Sequence, residues 1–331
     1  MQKIALATLF AAFTHAHAAE SITFTPPYGH GYPEGIAWHP GQNAFLVSSL
    51  RGGSIGLVAA DGSYRVFAAD KRLLTSAGIV VDEARNRVLV SNSDVGVAHG
   101  SSSKTLQRTA QVFEFDLDSG ALRHIYDFSA LAQGATLAND LTIDPQGNLY
   151  VTDSFQPHIY RAQYADKAVS ILIRDERLRP QSDGETTGLL PNLNGIVHHP
   201  QGYLLASDYV RGKLWRIPLD QPAALREVQL PERLKGPDGL RLQADGTLAA
   251  VQTAVDAGGN MQSEVAFLQS DNGWQSARVI RSVALPDVDG ATTATVKNGE
   301  LWIVNSHFPA LFAAPDKADD ARQTFELLRV E

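Results

Sequence analysis

The chain contains no cysteine among its 331 residues. It can therefore form no disulfide, and a zinc or copper site built on thiolates is excluded. It also lacks an excess of basic residues, with a formal net charge of −8 at pH 7 and no basic stripe. An acidic surface argues against nucleic acid or an anionic membrane as a partner and is permissive toward cations.

Strongly apolar sequence is confined to the N-terminus. A charged start at Lys3 precedes an apolar run over residues 4–13, and Ala16-His17-Ala18 has the small-x-small pattern of a cleavage site. The run is too short to span a membrane, which favours a secretory signal peptide over residues 1–18 rather than a buried N-terminal helix. We therefore expect a periplasmic or secreted protein whose mature part, residues 19–331, is one domain.

Long helical periodicity is also missing, and a repeated β-unit takes its place. In the clearest copy, residues 138–153, two short strands alternate apolar and polar residues on either side of the turn Asp144-Pro145-Gln146-Gly147. The key residue of this copy is at position 139, and related units have theirs at 34, 77, 194, 238 and 291, so successive copies lie 43 to 62 residues apart. Six strand-rich repeats of this period predict an all-β, six-bladed β-propeller with a central tunnel.

The propeller also explains how about 310 residues can form one domain, since each blade packs only on its neighbours. We expect residues 21–26 to pair with residues 324–330 and close the ring, because closure removes exposed sheet edges. The largest insertion, Asp94 to Gln111, is predicted to be a mobile loop, with a lid over the site as the alternative.

Polar residues precede the first, innermost strand of four repeats. The six copies hold, at this ring position, Glu34, Ala77, Asn139, Asn194, Asp238 and Ala291. Two carboxylates and two amides are the hard oxygen donors that Ca²⁺ prefers, and their two negative charges balance a divalent cation. Each of these residues taken alone is also a common turn former. Their recurrence at equivalent positions of a closed ring favours a metal site.

The loop between the second and third strands of each blade lies on the same face as the ring. These loops contain Arg51 and Asp208, which are candidates for substrate binding at the rim, and His307, which is a candidate for proton transfer. Both charged residues would otherwise be ordinary surface charges.

The segments Pro33-Glu34-Gly35-Ile36, Ala138-Asn139-Asp140, Leu193-Asn194-Gly195-Ile196 and Pro237-Asp238-Gly239-Leu240 resemble the four metal-site segments of the SMP-30/gluconolactonase/LRE-like superfamily. The superfamily includes the squid-type diisopropylfluorophosphatase. The resemblance implies Ca²⁺ in the tunnel and hydrolysis of lactones or organophosphate esters. It also implies Glu34, Asn139, Asn194 and Asp238 as metal ligands and Asp238 as the catalytic base or nucleophile. His307 matches a histidine of the diisopropylfluorophosphatases.

One departure concerns the substrate. Gluconolactonases carry an arginine where this chain has Leu137, so a gluconate-type substrate is not expected. The sequence predicts an exported, calcium-dependent hydrolase of lactones or related esters. Its expected partner is a small-molecule substrate, with no nucleic acid or membrane, and we expect a monomer.

Two other readings of the same propeller stay open. One is a non-catalytic binding propeller with structural calcium. The other is a metal-free propeller related to strictosidine synthases, which the four-donor ring argues against.

Overall fold

The computed structural model of the chain describes residues 20–180, 191–255 and 261–331. The predicted signal peptide, most of the connection from Arg174 to Pro191 and residues 256–260 lie outside the described residues. Within the described ranges, no helix combines the length and the apolar character needed to cross a membrane.

The described chain forms six four-stranded antiparallel sheets, as the six repeats predict. The first strand, β1 (Ser21–Phe24), belongs to the last sheet. The strands in chain order are, in blade 1, β2 (Ile36–His39), β3 (Ala44–Val47), β4 (Ser54–Ala59) and β5 (Tyr64–Ala69); in blade 2, β6 (Thr75–Asp82), β7 (Arg87–Ser93), β8 (Ala110–Asp116) and β9 (Leu122–Asp127); in blade 3, β10 (Ala138–Ile143), β11 (Leu149–Asp153), β12 (His158–Ala162) and β13 (Val169–Arg174); in blade 4, β14 (Leu193–His199), β15 (Tyr203–Asp208), β16 (Lys213–Pro218) and β17 (Arg226–Glu227); in blade 5, β18 (Pro237–Leu242), β19 (Leu248–Val255), β20 (Met261–Gln269) and β21 (Arg278–Leu285); and in blade 6, β22 (Ala291–Lys297), β23 (Glu300–Asn305) and β24 (Phe325–Val330).

The helices are short and lie in connections. Two α-helices, α1 (Phe308–Ala313) and α2 (Ala318–Ala321), follow β23 on the way to β24. Single 3₁₀ turns span Pro40–Gln42, Glu83–Arg85, Ser129–Leu131, Glu176–Leu178, Pro222–Ala224 and Pro315–Lys317.

The predicted closure of the ring is confirmed. Strand β1 pairs antiparallel with β24, in a register that places Ser21 opposite Leu328 and Phe24 opposite Phe325. Blade 6 therefore takes strands from both ends of the described chain, and backbone hydrogen bonds join those ends.

The hydrophobic core lies between blades. The buried apolar side chains of the described residues form six clusters, one for each pair of neighbouring blades. Between blades 6 and 1, for example, the rings of Phe45 and Trp302 lie 5.1 Å apart. The first strands of neighbouring blades contact each other all the way round, which places them around the central axis.

A β-bulge begins five of the six innermost strands. The strand register shifts between Ser76 and Ile79, Ala138 and Leu141, Leu193 and Ile196, Pro237 and Leu240, and Ala291 and Ala294. The two residues inside the shift in blade 6 are Thr292 and Thr293, so Thr292 is equivalent to Asp238. The assignment of Ala291 to the ring position was therefore wrong by one residue, because this copy has no glycine at the second bulge position to guide its alignment.

The next blade comes so close to the second bulge position that glycine recurs there in the motif. A Cβ atom added at Gly195 would lie 2.3 Å from the carbonyl oxygen of Asp238 in the next blade. We expect Gly195→Ala to lower the free energy of unfolding by about 3 kcal/mol, because overpacking against rigid backbone forces the blades apart. Urea unfolding measures the change.

The matched control for this variant is Gly41→Ala. Its added Cβ would meet only His39, at an ordinary 3.4 Å. Equal unfolding midpoints for the two variants would contradict a close approach of the inner strands.

Candidate metal site

The four predicted ligands are anchored through their backbones by one shared device. The carbonyl oxygen of each accepts a hydrogen bond from a hydroxyl of the preceding blade. The pairs are Thr292 to Glu34 (2.7 Å), Ser91 to Asn139, Thr152 to Asn194 (2.7 Å) and Ser207 to Asp238 (3.0 Å). Sequence reasoning missed these hydroxyls. A usable signal was present, since Thr152 and Ser207 follow Asn139 and Asn194 at the same spacing.

Two of the amide and carboxylate side chains are oriented by hydrogen bonds. The Nδ2 of Asn139 donates to the Oγ of Ser154 at 2.9 Å. The side chain of Asn194 hydrogen bonds to the Asp238 carboxylate, so its nitrogen is the donor and its Oδ1 is the opposite end. Each amide thus uses its nitrogen on the protein.

Two buried oxygens in this group fit a cation. Among the described residues, Glu34 Oε2 and Asn194 Oδ1 have no hydrogen-bond partner. Buried oxygen acceptors without donors are costly, and a cation would satisfy both. The part of the chain described by the structure has no group of three or more His, Asp or Glu side chains placed to hold a metal. A cation here would therefore depend on the amides as well as the two acids.

The acids of the ring are electrostatically strained. Burial, followed by the negative charges of Asp238 and Asp140, raises the pKa of Glu34 well above its ordinary value. Burial and then the charge of Asp140 raise the pKa of Asp238, while the hydrogen bond from Asn194 opposes the increase. Ionising both acids together is therefore unfavourable unless positive charge enters between them.

Asp140 is a third acid that the ligand prediction did not include. Its carboxylate accepts hydrogen bonds from the backbone nitrogens of Leu141 (2.8 Å) and of Ile196 in the next blade (3.1 Å). Burial raises its pKa to about 6, opposed by these donors and by Arg241. Burial lowers the pKa of Arg241, which Asp140 opposes. Three carboxylates and one guanidinium leave a formal charge of −2, the complement of a divalent cation.

The structure places His307 beside the ring rather than in it. His307 has a left-handed backbone with φ of 52° just before α1. Its Nε2 lies 2.7 Å from Glu326, and its Nδ1 contacts Asp289. Arg322 Nη2 also lies 2.7 Å from Nδ1, so charged side chains engage both ring nitrogens of His307. Its catalytic role stays a prediction.

The two predicted rim residues lie inside the protein. Arg51 Nη2 lies 2.6 Å from Asp319 Oδ2, and the pair is almost completely buried. Asp208 has no exposed surface and accepts hydrogen bonds from Arg211 N (3.1 Å) and Trp215 Nε1 (3.3 Å). These contacts are structural, and substrate binding by either residue stays a prediction.

Tyr209, next to Asp208, is the rim residue that lies near the ring. Burial and then the charge of Asp238 raise the pKa of Tyr209 to about 12. Its hydroxyl donates to the carbonyl oxygen of Thr253 in blade 5 at 3.1 Å. A neutral phenol therefore stands beside the acid proposed for catalysis. Adjacent residues at a strand end point in opposite directions, which is why choosing between Asp208 and Tyr209 needed the structure.

Six blades around a ring of oxygen donors define a β-propeller with a candidate metal site at the mouth of its tunnel. The profile of the SMP-30/Gluconolactonase/LRE-like region matches residues 32–304. The chain belongs to this family. A comparison with curated proteins gave no match.

Solved structures share the fold at low sequence identity. A gluconolactonase from Xanthomonas campestris is 15% identical with a TM-score of 0.58, over 95% of this chain and 90% of that one. Regucalcin from Agrobacterium tumefaciens, described as a calcium-binding protein, is 16% identical with a TM-score of 0.58, over 91% and 92%. Virginiamycin B lyase from Staphylococcus aureus is 12% identical with a TM-score of 0.54, over 94% and 99%. The shared fold therefore accompanies more than one chemistry.

The raised pKa values predict how calcium stabilisation depends on pH. The contribution of Glu34, Asp140 and Asp238 to stability is complete below about pH 4, where the unfolded acids are protonated. It is lost as pH rises through their raised folded-state pKa values, about 6 for Asp140. The Ca²⁺ expected from the sequence would bind the ionised acids, so it should raise the melting temperature more at pH 8 than at pH 5. Thermal melting in EGTA and in calcium measures the difference.

Glu34→Gln is the control for this prediction. It removes one of the coupled acids, so both the calcium-induced shift and its pH dependence should shrink. An equal calcium shift at both pH values in the native protein would contradict the coupling.

Proposed function

We propose that the chain is an exported, calcium-dependent hydrolase of lactones or related esters. The ring of Glu34, Asn139, Asn194 and Asp238 carries the proposal, because it combines two strained acids with two amides whose nitrogens are already engaged. Family membership supports a lactonase-like propeller. The apolar run and cleavage pattern over residues 1–18 support export.

The ring residues would have different roles in such a reaction. Glu34, Asn139, Asn194 and Asp238 would hold Ca²⁺, which would supply Lewis acidity toward a substrate carbonyl or phosphoryl oxygen. Asp238 accepts a proton from the water that attacks the carbonyl or phosphoryl centre while the bond to the leaving alcohol breaks. Alternatively, Asp238 attacks that centre itself, the alcohol leaves, and water hydrolyses the covalent intermediate. A hydrogen bond from Asn194 favours the ionised form of the Asp238 carboxylate. The Tyr209 ring lies close to Gly236, two residues before Asp238, where an added Cβ would be 3.4 Å from it.

Leu137, two residues before Asn139, bears on the class of substrate. Leu137 is almost completely buried, and its backbone nitrogen donates to Asp153 at 3.0 Å. Leu137 therefore cannot supply the guanidinium that gluconolactonases carry at this position. This supports a lactone or ester other than a gluconate-type substrate.

The direct test is metal content and turnover of the purified mature protein. We expect stoichiometric calcium, and hydrolysis of some members of a lactone and aryl-ester panel that disappears in EGTA and returns with calcium. Calcium that stabilises the fold without any turnover would favour the binding propeller. A protein without affinity for calcium would overturn the site.

Asp238→Asn tests the catalytic assignment. We expect kcat to fall at least about 100-fold, the lower range for loss of a general base, while the circular dichroism spectrum is retained. The control is Asp245→Asn, the same change at an exposed turn of the same blade. Turnover by Asp238→Asn within a few-fold of the native rate would contradict the catalytic role of Asp238.

A further inference from the structure

Arg51 and Asp319 form a buried ion pair between distant parts of the chain. Arg51 Nε lies 3.3 and 3.2 Å from the two Asp319 oxygens, and Nη2 lies 2.6 Å from Oδ2. Their side chains are 7% and 6% exposed. Arg51 follows the second strand of blade 1, and Asp319 lies in α2 of blade 6. The pair therefore joins the first and last blades where the ring closes.

A second bond joins the same two elements. The hydroxyl of the fully buried Tyr32 donates to the carbonyl oxygen of Ala318 at 2.7 Å. The Tyr32 ring packs edge-on against Phe325 at 5.3 Å. Tyr32 also accepts a hydrogen bond from the backbone nitrogen of Leu50, the neighbour of Arg51, at 3.0 Å. Helix α2 is thus bonded to Tyr32, which precedes β2, and to Arg51, which follows β3.

Only Pro33 separates Tyr32 from Glu34. Residues 31–35 are all buried, and the proline ring restricts φ, so a displacement of Tyr32 is transmitted to Glu34. The segment of blade 6 that ends at Asp319 begins at Ser306, next to His307. The hydroxyls of Ser306 and Thr292 lie 2.9 Å apart and form a hydrogen bond. Thr292 in turn holds the Glu34 carbonyl. The segment from Ser306 to Asp319 therefore reaches the Glu34 loop from two sides.

The insertion of blade 2 is attached to this pair as well. Arg51 Nη1 donates to the Val97 carbonyl, and Arg51 O accepts from His99 N at 2.9 Å. His99 Nε2 lies 2.9 Å from Asp319 Oδ2. Every donor group of the Arg51 guanidinium thus contacts the protein, which leaves the side chain poorly placed to bind a substrate.

We infer that Arg51 and Asp319 are positioning residues: with Tyr32 they clasp α2 onto the loop that carries Glu34 and so fix this carboxylate for cation binding. The inference rests on the proposed function for its cation, and it deepens the metal site rather than adding another. Glu34 alone of the four predicted ligands lies where the first and last blades meet. The clasp acts on the backbone of Glu34 and leaves its side-chain oxygens to the cation.

Asp319→Asn tests the clasp, with Asp320→Asn as the matched control. Both variants remove one negative charge from α2, but Asp320 is exposed, and among the described residues its carboxylate bonds only to the exposed Tyr28. We expect calorimetry to show calcium affinity about tenfold weaker in Asp319→Asn, the lower range for loss of a residue supporting a metal ligand, and native affinity in Asp320→Asn. Hydrogen exchange of the metal-free protein should speed up in residues 27–36 of Asp319→Asn alone.

The exchange measurement separates this inference from the proposed function. If the native protein binds no calcium, the metal site fails, and exchange in residues 27–36 still decides whether the clasp exists. Native calcium affinity and native exchange in Asp319→Asn would overturn the clasp. If Asp319→Asn does not fold, Tyr32→Phe removes only the bond to Ala318 and should give the same two changes at smaller size.

Discussion

The site depends on one repeated hydrogen bond, in which a hydroxyl of one blade holds the carbonyl of the ring residue in the next. In Thr152 and Asn194 this bond is 2.7 Å long, and Ser207 holds Asp238 in the same way. Because each bond crosses a blade boundary, the ring residues are positioned by the packing of blades. Glycine at the second bulge position permits that packing, since the next backbone lies too close for a Cβ. The propeller thus builds its axis and its candidate site with the same contacts.

Within this ring, burial has two opposite effects. It brings Glu34, Asp140 and Asp238 together away from water, which raises the pKa of each. It also makes their attraction for a divalent cation stronger, because fewer water molecules screen it. Arg241 compensates one of the three charges. The remaining formal charge of −2 is the complement of the divalent cation that we propose for the site. It does not choose a reaction, and the low-identity neighbours include a gluconolactonase and a lyase.

Much of this architecture was predictable from the repeat. The blade count, the pairing of β1 with β24 and family membership are confirmed. The sixth ring position was misplaced at Ala291, because a copy with two threonines in its bulge carries no glycine landmark. Asp140 was visible in the motif but had no equivalent in the other copies. A search for repeated residues finds those that the blades share, and it overlooks Asp140, which occurs at this position in blade 3 alone.

The sequence by itself determined the strand period, the six copies and the oxygen donors that recur in four of them, because these features are local and repeated. Only the tertiary structure decided which polar groups are engaged. From the sequence, Arg51 is predicted to be a charged residue at the rim of the site. In the structure it is paired with Asp319, which lies 268 residues away in the chain. Asp208 and Tyr209 are neighbours, yet Asp208 is buried in its own blade and the hydroxyl of Tyr209 donates to the Thr253 carbonyl of the next blade. A side chain's partner across a closed ring is set by how the blades pack, which no local pattern records.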